Sequence, residues 1–212
     1  AIYAREVPDH PVAQVLARAI EKGDLPKHAL RNLIEARGFD LYDDPMPTLH
    51  DLEGYLGETS SALIQMAALI LAGYDGLGCA EASGLAGVAY GLTGILRALP
   101  ITRARGQCYV PAEMLAQRGL MPAHLIAGRD DAGLAVTLAE LRHLAAQRLR
   151  EAREKAWLVP SPALPAFLPV SLVDAYLAKL AKLGPKALHR VAEVSQVKRQ
   201  WRLFRQARIE AF

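Results

Sequence analysis

The densest set of residues able to do chemistry lies between Tyr90 and Glu113, where Tyr90, Thr93, Arg97, Arg105 and Tyr109 sit among glycines and alanines. Other candidates fall away on their spacing. Asp40, Asp43 and Asp44 suggest a metal cluster, but Asp44 precedes a proline at a helix end, and such a group reads first as a solvated turn. Asp130 and Asp131 likewise read as loop. The six histidines are scattered without paired spacing and make no ligand set. Cys79 and Cys108 are too few for a disulfide framework and lack metal-ligand spacing, which favours a reducing compartment. Ser60 and Ser61 stand outside any Gly-x-Ser-x-Gly elbow and read as packing residues.

Helices must position these groups. Asp9 with Pro11 predicts a first helix ending at Gly23, with Val12, Val15, Leu16, Ala19 and Ile20 on its inner face. A second opens at Pro26, turns Leu30, Leu33, Ile34 and Leu41 inward, and breaks at the Asp43–Pro47 cluster. Thr48 and Asp51 form a capping box for a long third helix reaching Ala72. Its stretch from Ala62 to Ala72 is too short to cross a bilayer, which takes about 20 residues, and predicts a buried central helix. The next helix, from Ala80 to Leu99, carries Gly84, Gly87, Gly91 and Gly94. Each interior glycine costs about 1 kcal/mol of helix propensity, so close approach to a neighbouring helix or a ligand is expected. Pro100 is expected to stop it and to open a basic loop over residues 100 to 111, with a short helix from Pro111 to Arg118. An amphipathic helix from Leu134 to Trp157 places Leu138, Leu141, Leu144, Ala145 and Leu149 on one stripe and its charges on the other face. Residues 158 to 169 are expected to form an irregular, proline-rich hinge, followed by helices over about 170–183 and 186–208. No segment alternates like a strand, so the chain is expected to be all-α, one domain spanning residues 1–212.

Composition agrees. The 212 residues are 52% hydrophobic and 22% charged, with a net charge of +3, as expected of a globular chain. So mild an excess does not call for nucleic acid. The last helix joins Lys198, Arg199, Arg202, Arg205 and Arg208 to Trp201, Leu203 and Phe204. Such a helix either lies on an anionic membrane or packs its apolar face and solvates the rest.

The central segment resembles the squalene/phytoene synthases. These enzymes carry a helix ending in a Leu-Thr-Asn-Ile-Leu-Arg-Asp pattern, followed by Arg-Gly-x-x-Tyr-Leu-Pro. The chain matches at Leu92, Thr93, Ile95, Leu96 and Arg97, then at Arg105, Gly106, Tyr109 and Pro111, with Glu113 and Leu115 continuing. Asp40-Leu41, Tyr55 and the small-residue helix follow the family order.

The resemblance implies an isoprenoid synthase-like helical bundle around a central cavity, and it implies N-terminal helices upstream of Ala1, where the family's other aspartate motif lies. It nominates Arg97, Arg105, Tyr109, Thr93, Tyr55, Tyr90 and Asp40 as candidates for diphosphate or cavity binding. The family's two aspartates in this motif align with Ala98 and Thr102. Two carboxylates four apart on a helix face hold Mg²⁺, which helps a diphosphate depart; alanine and threonine do not, and Gly94 replaces the asparagine. The Thr-Gly-Ile-Leu-Arg-Ala-Leu-Pro run is more similar to an aspartate-depleted branch that includes a mitochondrial assembly factor for respiratory complex I. Two functions follow: a non-catalytic relative that binds a lipid or a protein, or a head-to-head prenyl transferase. The first implies no cofactor and a respiratory-complex or other protein partner; the second implies Mg²⁺ and prenyl diphosphates. Either fits a cytoplasmic protein peripheral on the inner membrane face, or the mitochondrial matrix in a eukaryote.

Overall fold

The computed structural model describes residues 2–4, 6–129 and 131–209. Ala1 and Asp130 lie outside them. Among the described residues the regular structure is helical: α1 Pro11–Gly23, α2 Lys27–Arg37, α3 Leu49–Leu56, α4 Ala62–Ala72, α5 Ala80–Ala104, α6 Ala112–Ala116, α7 Pro122–Ile126, α8 Ala132–Glu154, α9 Val173–Leu183 and α10 Gln196–Ile209.

Helix α5 runs through the middle of the bundle. It packs on α8 along one side and on α3, α4 and the turn between them along the other; α9 and the Ser161–Leu172 segment complete its surroundings. The α8 stripe Leu134, Leu138, Leu141, Ala145 and Leu149 is buried, with the spacing of one helix face. Each buried leucine contributes about 2 kcal/mol in area removed from water. The charged face of α8 also makes ties: Arg148 donates to Glu53 of α3 through Nε at 2.9 Å and Nη2 at 2.8 Å. Asp131 is no idle loop residue, because its side chain caps α8 by accepting from Gly133 and Leu134.

Several local expectations change. His10, rather than Asp9, caps α1, accepting from the Val12 N–H. Val12 and Val15 are exposed, while Leu16, Ala19 and Ile20 of the expected inner face are partly buried where α1 packs on α4. Ile34 and Leu41 also face solvent, while Leu30 and Leu33 pack on Leu25, Met66 and Leu69. The Thr48–Asp51 capping box forms as expected. The predicted third helix is interrupted over Gly57–Ser61 by a π turn, one residue wider than an α turn. Its second half is less central than expected: Ile64, Met66, Ala68 and Leu69 are buried, but Leu63 and Leu71 are exposed. By length and composition, the helical runs Leu49–Ala104 and Ser161–Leu188 are apolar enough to cross a membrane. In the bundle the first run supplies Leu52, Leu56, Ala86 and Leu92 to the core.

Pro100 does not stop α5, which continues to Ala104. Proline removes one N–H from the ladder but not the burial that holds Leu96 and Leu99 in the turn just before it. Thr102 Oγ1 donates back to the Ala98 carbonyl at 3.3 Å, and Gly106, at φ +78°, turns the chain so that Gln107 N–H closes on the Thr102 carbonyl. The proline-rich segment is no loose hinge. Ser161–Leu172 is a 3₁₀ helix, and its three-residue period puts Ala163 with Ala166 and Phe167 with Val170 into the core. The last helix begins at Gln196, ten residues later than expected, because Gly184 at φ +52° and Pro185 divert the chain through the short 3₁₀ turn Gly184–Leu188.

Candidate functional site

Between α3, the π turn and the second half of α5 lies a cavity of about 300 Å³. Leu56, Gly91, Gly94, Ile95 and Ala98 give it an apolar floor; Tyr55, Thr59, Ser60, Tyr90, Thr102 and Tyr109 bring hydroxyls, and Arg37 of α2 brings a cation. The π turn and the glycines create this shape together. A Cβ on Gly87 would fall 2.3 Å from Ser61 Cα, so the two helices touch backbone to backbone there. Ser61 Oγ secures the crossing by donating to the Gly84 carbonyl at 2.8 Å. A Cβ on Gly91 would meet Leu56 at 2.4 Å, but one on Gly94 would meet nothing within 4 Å. The glycine series thus divides: Gly87 and Gly91 permit contact, and Gly94 leaves open space at the cavity floor.

One wall of the cavity is a hydrogen-bonded cluster around Asp40. Tyr109 donates to Asp40 Oδ1 at 2.6 Å and Tyr55 donates to the same oxygen at 2.8 Å. Arg37 Nη1 donates to Asp40 Oδ2 and to the Tyr55 hydroxyl, each at 3.0 Å. Phe39 packs against both tyrosines at steep ring angles, with centroids 5.9 Å from Tyr55 and 5.6 Å from Tyr109. Partial burial opposes the Asp40 charge, but the hydrogen bonds from Tyr109, Tyr55 and Arg37 outweigh it and hold the carboxyl below the usual range. Both tyrosines are pushed up, first by burial and then by their bonds to Asp40.

Tyr109 is held in place by a backbone clamp. Met46 N–H donates to the Cys108 carbonyl at 2.9 Å and Ala112 N–H donates to the Met46 carbonyl at 2.8 Å. Glu113 completes the clamp by accepting from the Leu49 N–H at 2.6 Å, a carboxylate at the N-terminus of α3. Burial pushes the neighbouring Cys108 thiol up to about 11.

Tyr55, Tyr90 and Tyr109 therefore line one cavity, with Asp40 tied behind two of them. Asp40 is thus no freely solvated turn residue. Arg105 is exposed just beyond the end of α5. Thr93 faces the core, 2% exposed, and its hydroxyl donates to the Ala89 carbonyl at 2.8 Å. Arg97 lies away from the cavity: its guanidinium sits 3.6 Å over the Tyr176 ring and its Nε donates to the Ala192 carbonyl. It pairs with a ring and a carbonyl because α9 and the chain after Leu188 pack on that face. Arg37 was missed. Its spacing three residues before Asp40 on a helical end was the available signal.

The squalene/phytoene synthase family model matches residues 1–201. The chain belongs to the squalene/phytoene synthase family. Among relatives, the NADH dehydrogenase (ubiquinone) complex I, assembly factor 6, of Mus musculus is 28% identical over 188 residues, covering 89% of this chain and 56% of the relative. The same-named protein of Homo sapiens is 27% identical over 188 residues, again 89% of this chain and 56% of the relative. The chain spans about half the length of these relatives. Among solved structures, squalene synthase HpnC from Alicyclobacillus acidocaldarius superposes with a TM-score of 0.74 at 24% identity, over 89% of this chain and 70% of that one. A dehydrosqualene synthase in complex with ligand gives 0.77 at 19%, over 95% and 71%. At these identities the structures establish the fold, the isoprenoid synthase-like all-α bundle.

Mg²⁺ and diphosphate chemistry of the kind associated with this family needs carboxylates that converge on the cavity. Ala98 and Thr102, four apart, both face the cavity and offer a methyl and a hydroxyl. The carboxylate beside the cavity, Asp40, has both oxygens engaged by Tyr109, Tyr55 and Arg37. Among the described residues, no three His, Cys, Asp or Glu side chains converge to hold a metal ion. These residues do not fit a Mg²⁺-diphosphate group.

Proposed function

We propose that this chain is a non-catalytic member of the squalene/phytoene synthase family that acts as an assembly factor for a respiratory complex and keeps the family's cavity as a binding surface. One observation carries the reading. Ala98 and Thr102, aligned with the family's aspartates, point into the cavity where a carboxylate pair would have to stand. Without that pair, nothing on α5 concentrates a divalent cation against a diphosphate. The relatives named as complex I assembly factors support the same reading, because they resemble this chain over most of its length. The cavity itself, apolar on its floor and hydroxyl-lined above, suits an uncharged or weakly charged lipid chain better than a diphosphate.

The test is direct. The purified protein, with any residues that precede Ala1 in its natural chain, is incubated with farnesyl or geranylgeranyl diphosphate and Mg²⁺ beside a true synthase. The expected result is folded protein, active control, and no release of diphosphate or C30 or C40 product. Turnover would sink the non-catalytic reading and restore the prenyl transferase. In cells, deletion of the gene is expected to lower assembled complex I, and unchanged levels would remove the assembly role.

A further inference from the structure

Helix α10 carries its largest side chains on the wrong side for packing. Val197, Trp201 and Phe204, spaced four and three apart, share one face and are 77%, 63% and 51% exposed. The helix rests on the Ser161–Leu172 segment, and it buries no residue fully in doing so. Trp201 and Phe204 lie against each other, with centroids 6.1 Å apart.

Charge runs alongside this stripe. From Gln196 to Ile209 there are five cations, Lys198, Arg199, Arg202, Arg205 and Arg208, and no acid. Lys198, Arg202 and Arg205 border a polar cavity of about 360 Å³ that Trp201, Arg153 and Asp174 also line. Asp174 accepts from Arg153 at 2.7 Å, and among the described residues no carboxylate lies in ion-pair range of Lys198, Arg202 or Arg205. A helix with exposed aromatics, a basic flank and no acid matches the interfacial layer of an anionic bilayer, where rings enter the acyl boundary and cations meet phosphates. An acidic protein surface would satisfy the cations but would leave Val197, Trp201 and Phe204 to find a separate apolar match.

We propose that α10 is the docking surface of this protein for an anionic phospholipid bilayer, with Val197, Trp201 and Phe204 inserted at the interface and a lipid phosphate drawn to the Lys198–Arg202–Arg205 cavity. The surface shares no residue with the cavity beneath Tyr55 and Tyr109, so it stands whether or not prenyl diphosphates are turned over.

The experiment is co-sedimentation of the full natural chain with vesicles of phosphatidylglycerol and phosphatidylcholine in equal parts, beside vesicles of phosphatidylcholine alone. Binding is expected to the first and not to the second, and to weaken as salt rises. Lys198→Gln with Arg205→Gln removes two cations and is expected to weaken binding roughly 30-fold, about fivefold for each charge. Trp201→Ala with Phe204→Ala is expected to abolish it. Because these side chains are exposed, circular dichroism and melting of the variants should match the parent, which separates lost docking from lost folding. In a Trp157→Phe background, Trp201 emission should shift to the blue when anionic vesicles are added. Equal binding to both vesicle types, indifference to the charge variants, or binding of inorganic phosphate without any vesicle binding would each overturn the proposal.

Discussion

The two faces of α5 are built on opposite rules. The face toward the cavity carries Gly91, Gly94, Ala98 and Thr102, small side chains that leave about 300 Å³ open. The far face carries arginines that bind protein instead of ligand. Arg103 donates to the Leu188 carbonyl at 2.7 Å and to the Ile126 carbonyl at 3.1 Å, and its Nη2 stands 3.0 Å from His189 Nδ1. Arg97 covers Tyr176 and reaches Ala192. One helix therefore separates a cavity left open by small side chains from a seam that is stapled shut, and a cation's place in a motif does not tell which face it serves.

The largest expected effect breaks the close crossing at the edge of the cavity face. Gly87→Ala gains helix propensity but drives a Cβ to within 2.3 Å of the Ser61 backbone. Backbone does not yield as a side-chain tip does, so a net loss of about 3 kcal/mol is expected in urea unfolding, near the top of the overpacking range. Unchanged stability would mean that α5 and the π turn do not approach this closely.

That crossing also marks how far the sequence was legible. The glycines announced a close approach, and the Thr48–Asp51 box, the α8 stripe and the all-helical class followed from local chemistry and periodicity. Tyr55, Tyr90 and Tyr109 were nominated by family resemblance and do share a cavity. What escaped was tertiary. Pro100 looked like a stop because propensity sees the missing N–H and not the burial of Leu96 and Leu99 beside it. Arg97 and Thr93 looked like site residues because a motif gives order along the chain, and a helix turns successive residues about 100° apart. Arg37 was passed over, although its spacing to Asp40 was readable, because its value comes from Asp40 and Tyr55 meeting it in space.

The far face should respond next. Arg103→Ala strands acceptors on two separate segments and is expected to cost about 2–3 kcal/mol, in the range of hydrogen bonds to a charged donor. Arg97→Ala gives up one long hydrogen bond and a cation–π contact, so about 1 kcal/mol is expected. Reversal of this order in thermal melts would show that the seam is held at Tyr176 rather than at Leu188.

The Asp40 cluster adds a pH signature to the cavity wall. Because the folded Asp40 carboxyl lies below its unfolded value, its contribution is fully present above about pH 4 and is lost as pH falls through the folded value. Tyr55 and Tyr109 are shifted the other way, so their contribution is full below about pH 10 and fades as pH rises toward their folded values. Asp40→Asn is expected to cost about 2 kcal/mol at neutral pH, within the range for charged hydrogen bonds. It should also flatten the acid limb of the stability profile and bring the tyrosinate absorbance transition to lower pH. An unchanged tyrosine titration would show that the two hydroxyls do not depend on this carboxylate.

The smallest effect has the opposite sign and sharpens the comparison most. Gly94 lies seven residues beyond Gly87 on the same helix, close to two full turns, and by sequence alone the two are equivalent small residues. A Cβ at Gly94 meets nothing within 4 Å. Gly94→Ala should therefore keep the propensity gain that Gly87→Ala forfeits, raising stability by about 1 kcal/mol. The added methyl enters the cavity floor, so Gly94→Leu should hinder any lipid chain that lies there without loosening the bundle. If Gly94→Ala instead destabilised the protein as Gly87→Ala does, the space beside Gly94 would be closed by packing, and the cavity face of α5 would be a seam like the other.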